Sequence, residues 1–380
     1  MKIKQAICNN PTDLATIAGQ LADDAGQLTL VFGSVAHFAA PDFETTLRRL
    51  LPGTTFIGCS TAGEITQRGV DDGICSLTSI EFEKSTLSTG STRLHGMEDS
   101  FAAGERIGRQ IAGAKLRAVL VFGPGVRING SALINGLASV IGEGIPITGG
   151  LAGDGGAFQE TFTLGPEGVA SDQIVAVGLA GEALCFGHGS FGGWEPFGPA
   201  RKVTRSDGNI LYELDGEPAL SVYKRYLGSH AADLPASGLL FPFAMLGEDH
   251  NAIGLIRTIL GIDEANGGLI LAGDIDAEGY LRLMHASTDK LVNGAEAAAE
   301  AATQMQQTPG NNLAILVSCV GRKLVMGDRV DEEVEAVGDV LGNNAVLTGF
   351  YSYGEISPFT PGASCKLHNQ TMTITCLGER

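Results

Sequence analysis

LTLVFGS (Leu28–Ser34) is an apolar run that ends in a small-residue turn, and its pattern returns twice along the chain. It leads into a helical segment, DFETTLRRLL (Asp42–Leu51), and then into TTFIGCSTAGEI (Thr54–Ile65). RAVLVFGPG (Arg117–Gly125) is followed by SALINGLASVIG (Ser131–Gly142) and IPITGGLAGDG (Ile145–Gly155). LAILVSCVGRK (Leu313–Lys323) is followed by DEEVEAVGDVLG (Asp331–Gly342) and AVLTGFYSYGEI (Ala345–Ile356). Gly58, Gly149 and Gly349 fall at similar places in the three stretches, and a further strand-like run follows each: CSLTSIEF, QIVAVGLAG and HNQTMTITCL. A repeat at this scale decides the architecture before any single motif does.

The unit reads β-α-β-loop-β. Its apolar strands do not alternate with polar residues, so they are expected to be buried on both faces. A helical crossover makes the first two strands parallel, and the strand after the loop can return antiparallel. The expected fold is α/β (α+β mixed), with mixed sheets covered by helices. Between the second and third units, Val203–Arg205 and Ile210–Leu214 read as strands, and Asp215 reads as the cap of a helix with Pro218 in its first turn. GLLFPFAML (Gly238–Leu246) reads as a buried strand. The Ala-rich LVNGAEAAAEAATQM (Leu291–Met305) reads as a helix packed closely on a sheet. The Pro196 and Pro199 cluster places a division there, giving residues 1–199 with two repeat units and 200–380 with the α+β segment and the third.

Apolar residues make up 44% of the 380 and charged residues 18%, a globular composition. A net charge of −18 argues against nucleic acid, whose phosphates need clustered Lys and Arg, and against an anionic membrane surface. The longest apolar runs have strand length, which argues against membrane insertion, and the first residues lack the apolar stretch of a signal peptide. Seven scattered cysteines fit a reducing cytoplasm.

No catalytic constellation stands out, so the expectation is that the chain is not an enzyme. Cys59 follows a strand but lacks the spacing of a nucleophile elbow, so it reads as packing. GGLAGDG (Gly149–Gly155) lacks the spacing of a phosphate loop. Cys365 and His368 are at most half of a zinc site. His37 ends the first strand's loop and could face a pocket. His188 stands out in FGHGSFGGWEPFGP (Phe186–Pro199), with glycine on both sides and Phe191 and Trp194 nearby. A neutral imidazole with apolar walls is what haem iron needs from a protein. The plainer reading leaves His188 exposed at a strand end, with the aromatics anchoring a joint between domains.

IGCSTAGEI, GGLAGDG, GWEPFGP with VTRSDGNILYELDGEPAL, FYSYGEISP and CKLHNQTMTIT together resemble the FIST proteins, over nearly the whole chain. The resemblance implies a FIST N-type and a FIST C-type domain acting as a sensory module of bacterial signalling. It extends to a stand-alone branch that binds haem b, senses nitric oxide and acts on a partner histidine kinase in two-component, quorum-sensing or cyclic-di-GMP pathways. On that reading His188 is the candidate axial ligand, His37 the reserve, Phe191 and Trp194 the apolar walls, and the haem iron the one metal. The alternative is a haem-free sensor of an amino-acid-like metabolite, with Arg257, Tyr351 and Tyr353 lining its pocket.

Overall fold

The computed structural model describes all 380 residues except 23–24, 248–249, 307–311 and 360–361. The chain is built from three copies of one extended unit. The first contains β1 (Lys2–Cys8), α1 (Leu14–Gly19), β2 (Leu28–Gly33), α2 (Val35–Phe38), α3 (Phe43–Leu50), β3 (Thr55–Ser60), the short hairpin β4 (Glu64–Thr66) and β5 (Gly69–Asp71), and β6 (Cys75–Glu81). The second contains β7 (Thr86–Arg93), α4 (Ser100–Ile111), β8 (Leu116–Gly123), α5 (Gly130–Ile141), β9 (Ile147–Leu151), the hairpin β10 (Thr163–Gly165) and β11 (Gly168–Ala170), and β12 (Gln173–Ala180).

The third begins at β13 (Leu184–Phe191) and is interrupted at once by an insertion. The insertion contains β14 (Glu195–Pro196), β15 (Arg201–Asp207), β16 (Ile210–Leu214), β17 (Glu217–Pro218), α6 (Ala219–Leu227), β18 (Phe243–Leu246), β19 (Ala252–Arg257), β20 (Ile259–Asp263), β21 (Gly268–Leu271) and β22 (Tyr280–His285). The unit then resumes with α7 (Thr288–Gln306), β23 (Asn312–Cys319), α8 (Val320–Met326), α9 (Asp331–Leu341), β24 (Ala345–Ser352), the hairpin β25 (Gly354–Pro358) and β26 (Cys365–His368), and β27 (Met372–Glu379).

The three units make three six-stranded sheets with one plan, ordered β1-β6-β2-β3-β10-β11, β7-β12-β8-β9-β25-β26 and β13-β27-β23-β24-β4-β5. In each, the two strands joined by the helical crossover are parallel and the return strand is antiparallel to the first. The last two strands of each sheet are a hairpin lent by another unit. The mixed α/β repeat therefore matches the expectation from sequence, while the Gly-rich loops turn out to carry these exchanged hairpins.

Both faces of every sheet are covered, which explains the unbroken apolar strands. The inner faces share one core around Phe32, Phe122 and Phe350, whose ring centroids lie 4.8–5.9 Å apart. The outer faces meet helices: α1 and α3, α4 and α5, and α7 and α9 on the three sheets in turn. Cys59, Gly150 and Phe350 occupy matching positions beside the shared glycine, so two small residues make room for one large ring. Cys59 is fully buried and burial pushes its thiol well up, as packing rather than nucleophilic chemistry requires.

The insertion folds its nine strands into a separate sheet over its own core of Leu211, Tyr223, Phe243 and Leu269. Two local expectations change there. Asp215 sits in the left-handed region (φ 52°), accepts the Lys202 amide and precedes a turn, so α6 begins only at Ala219. Ala236–Leu240 forms a 3-10 helix, and the strand starts at Phe243.

Two units repeat one buried polar device. Thr61 donates to Glu64, whose other oxygen accepts the Ile74 amide at 3.2 Å. At the matching place Ser352 donates to Glu355 at 2.7 Å, and the Thr371 amide and hydroxyl donate to its other oxygen. Each carboxyl ties its hairpin to the start of the return strand. Burial raises Glu64 to about 7 and Glu355 to about 8 from an ordinary value of 4.5. Both therefore hold a proton more tightly folded than unfolded. Their stabilisation is complete below pH 4.5 and is lost as pH rises through about 7 and about 8. The unfolding free energy from urea titration is expected to fall between pH 5 and 9, by at most about 3 kcal/mol for Glu64 and about 5 kcal/mol for Glu355. Glu64→Gln with Glu355→Gln should flatten that profile; an unchanged slope would show that neither group titrates in this range.

Candidate functional site

The residues singled out from sequence do not gather in one place. His188 lies within β13, 4% exposed, with the backbone carbonyl of Pro358 on β25 near its ring. Burial lowers its basicity and keeps the imidazole neutral, and its Nδ1 has no partner. His37 on α2 is fully buried, with Nδ1 3.0 Å from the Ser34 hydroxyl and Nε2 without a partner. Each orphaned nitrogen could in principle meet a metal, but none of the three cavities described here is lined by either ring. Neither ring faces a cavity large enough for a porphyrin among these three. The glycines around His188 serve the packing of α7 instead: a Cβ on Gly189 would stand 2.0 Å from the Ala298 carbonyl oxygen. The all-alanine face of α7, with Ala295, Ala298, Ala299 and Ala302 fully buried, rests on that strand.

The other predicted residues are similarly dispersed. Phe191 is exposed at the end of β13. Trp194 is half-buried and donates to the Gln370 carbonyl at 2.7 Å. Tyr351 is buried and donates to Glu333 at 2.6 Å. Arg257 is buried with Nε 3.1 Å from the Asp274 carbonyl, and burial lowers it to about 10. Cys365 and His368 are each engaged by backbone, with the Ile147 and Ser357 carbonyls. Tyr353 alone faces a cavity of ligand size.

That cavity is a cleft of about 1030 Å³ between the second unit and the insertion. One wall is the loop from β8 to α5 (Gly125–Gly130) with the segment Gly155–Phe158 after β9. The facing wall is built from His230–Leu240 and the ends of β20 and β21, and the third unit contributes Leu324 of α8 and Tyr353. The cleft is at the upper end of the 300–1,000 Å³ range typical of small-molecule sites. Its walls are mostly apolar. A second cavity, about 510 Å³, shares Val126 and Arg127 with it.

Tyr353 organises one wall. Its hydroxyl donates to the Asp154 carboxylate and accepts the amides of Asp154 and Gly156 at 3.2 and 2.9 Å. Asp154 in turn accepts the amides of Phe158, Gln159 and Glu160 at 2.7–3.0 Å. Burial alone would raise Asp154, but these donors, Tyr353 first, outweigh it and hold the carboxyl below its usual range. The wrapped loop keeps Phe158 in the left-handed region (φ 55°) and stacked on Tyr353, with centroids 4.1 Å apart. A bulky residue held there is uncommon, and such outliers cluster at functional sites.

Sequence reasoning missed Arg127, although the repeat contains the signal. Val31, Val121 and Leu316 pair with the shared glycines Gly58, Gly149 and Gly349. Six residues beyond them stand His37, Arg127 and Arg322, a basic side chain in each unit. His37 is fully buried with only its Nδ1 engaged, by the Ser34 hydroxyl, and Arg322 is fully buried against Glu333 at 2.6 Å. Arg127 is exposed in the cleft, also left-handed (φ 60°), and has no partner among the described residues.

Among the described residues no helix is long and apolar enough to cross a membrane. An uncharacterized protein of Methanocaldococcus jannaschii is 29% identical over 199 residues, 48% of this chain and 36% of that protein. An uncharacterized protein of Mycobacterium tuberculosis is 26% identical over 226 residues, 57% of each chain. The chain thus spans between about a third and somewhat over half the length of these relatives. A cyanuric acid hydrolase from A. caulinodans aligns with 100% of this chain and 99% of its own, at a TM-score of 0.42 and 8% identity. That protein is an enzyme, and the expectation that this chain is not one is withdrawn accordingly. A likeness at that level transfers no reaction and no residue. Residues 27–217 match the FIST N domain and residues 219–358 the FIST C domain. FIST domains point to a sensory, signal-transduction role, and the chain belongs to the FIST family.

Proposed function

We propose that the chain is a sensory module whose small-molecule ligand binds in the cleft between the second unit and the insertion. The observation that carries this reading is the concentration of exposed apolar side chains there. Met97, Phe158, Leu260 and Leu324 line the cleft, and among the described residues they are four of the eight large apolar side chains left exposed. A patch of that kind around a concave site marks binding.

The position suits a signal. Arg322, two residues before Leu324, donates to the carbonyls of Gly192 and Leu291, at the two ends of the insertion. A ligand that favours one setting of the insertion shifts the population by its differential affinity, and this clamp is where the shift meets the three-unit body. We place the module in the cytoplasm and take a histidine kinase as its partner, as the family resemblance suggests. For haem and nitric oxide the geometry at His188 and His37 offers no support. The one imidazole lining the cleft is that of His230, so hemin titration of His230→Ala, read at the Soret band, separates a haem sensor from the metabolite sensor favoured here.

The test uses N-phenyl-1-naphthylamine, a neutral apolar fluorophore, as the probe. With it bound, amide hydrogen exchange should slow at residues 125–130, 154–158 and 230–240. Protection confined to other segments would place the site elsewhere.

A further inference from the structure

We propose that the ligand of the cleft is an aromatic or similarly flat apolar molecule bearing a single anionic group, such as a carboxylate, and that Arg127 binds that group. The inference rests on the cleft being the ligand site. Of the three basic side chains at matching places, two are fully buried away from the cleft, His37 beside the Ser34 hydroxyl and Arg322 against Glu333. The third, Arg127, is left without a partner among the described residues, and it is the one that lines a cleft of ligand size. An unpaired guanidinium on an apolar wall is suited to a carboxylate, with two parallel charge-assisted hydrogen bonds. Its left-handed backbone (φ 60°) costs stability for any residue with a Cβ, and the fold keeps it at the cleft.

The rest of the cleft defines the ligand's body and limits its charge. Phe158, stacked on Tyr353 and still 38% exposed, offers part of an aromatic face to a flat molecule. Leu260 and Leu324, 46% and 53% exposed, offer apolar area on the facing wall and on α8. Against Arg127 stand two acids in the lining, Asp233 and Asp274, and a net charge of −18 on the whole chain. One guanidinium in that field suits a monoanion. A phosphate monoester or a second carboxylate would meet repulsion with no further cation to answer it, since Arg127 is the one Arg or Lys in the lining.

Two fluorophores of similar shape separate this proposal from the cleft reading beneath it: 8-anilino-1-naphthalenesulfonate, a monoanion, and N-phenyl-1-naphthylamine, its neutral counterpart. Arg127→Gln should weaken the anionic probe about tenfold or more and leave the neutral probe within about twofold. Arg127→Lys should fall between Gln and wild type for the anionic probe. If the neutral probe binds and Arg127→Gln leaves the anionic probe unchanged, the anion assignment is overturned and the cleft reading stands. If neither probe binds the wild-type protein, both fall together. Arg127 is exposed, so the substitution should leave the unfolding midpoint unchanged, and a shared loss of both probes with a lowered midpoint would assign Arg127 a structural role instead.

Discussion

Gly349→Ala is expected to prevent the protein from folding. A Cβ there would lie 1.9 Å from the carbonyl oxygen of Leu316 on the neighbouring parallel strand, and backbone cannot swing aside as a flexible side chain can. The same overlap recurs at Gly58 against Val31 (1.8 Å) and at Gly149 against Val121 (2.0 Å). All three glycines lie where β3, β9 and β24 pair with the first strand of their units, on the face that meets the helices. Admitting one methyl group would part a central strand pair buried on both faces. The cost should exceed the roughly 4–5 kcal/mol that already marks an exceptional substitution, out of a total stability of about 5–15 kcal/mol. Gly113→Ala, with nothing within 4 Å of the added atom, is the matched control. Soluble yield and far-ultraviolet circular dichroism report the outcome. A folded Gly349→Ala protein with a wild-type urea midpoint would mean that the parallel strands pack differently from this description.

Arg322→Met should be the most damaging single change away from the glycines. Arg322 and Glu333 are both fully buried, joined at 2.6 Å, and Glu333 also accepts the Ser318 and Tyr351 hydroxyls at 2.9 and 2.6 Å. Removing the guanidinium leaves a buried carboxylate without its counter-charge, a loss of about 3–5 kcal/mol. It also frees the carbonyls of Gly192 and Leu291, where the chain enters and leaves the insertion. Adding Glu333→Leu should restore part of the loss, because the stranded charge goes, but not all of it, because those carbonyls and hydroxyls stay unpaired. Equilibrium urea unfolding of the single and double variants measures both steps. A single variant that loses less than about 1 kcal/mol would show that the pair is not the clamp described.

The repeat was legible in sequence because it rests on local rules. Unbroken strands, capped helices and a shared glycine can be read within thirty or so residues, and parallel pairing follows from the helical crossover. The exchanged hairpins were not legible, since strands as short as Glu64–Thr66 carry little periodicity and their partners lie in another unit. His188 drew attention for a composition that has a different cause. Glycines at 189 and 193 let α7 lie against β13 and the residues after it, an approach set by residues about a hundred positions away. The cleft was hidden for the same reason, because its walls come from the second unit, the insertion and the third unit. GGLAGDG was set aside for lacking the spacing of a phosphate loop, yet it leads into the wall that holds Phe158. Extending the alignment of the repeats by a few residues would have brought Arg127 beside His37 and Arg322.

The central claim is that the cleft is where this FIST protein binds its ligand. A fluorescence titration with N-phenyl-1-naphthylamine, run on wild type and on the Leu260→Glu, Leu324→Glu double variant, tests it most directly. Both leucines are largely exposed, so the variant should unfold at the wild-type midpoint. The account predicts one saturable site on the wild type and an affinity lower by about tenfold or more in the variant, as expected when two apolar contacts are replaced by charge. No saturable binding, or equal affinity in a correctly folded variant, would contradict it.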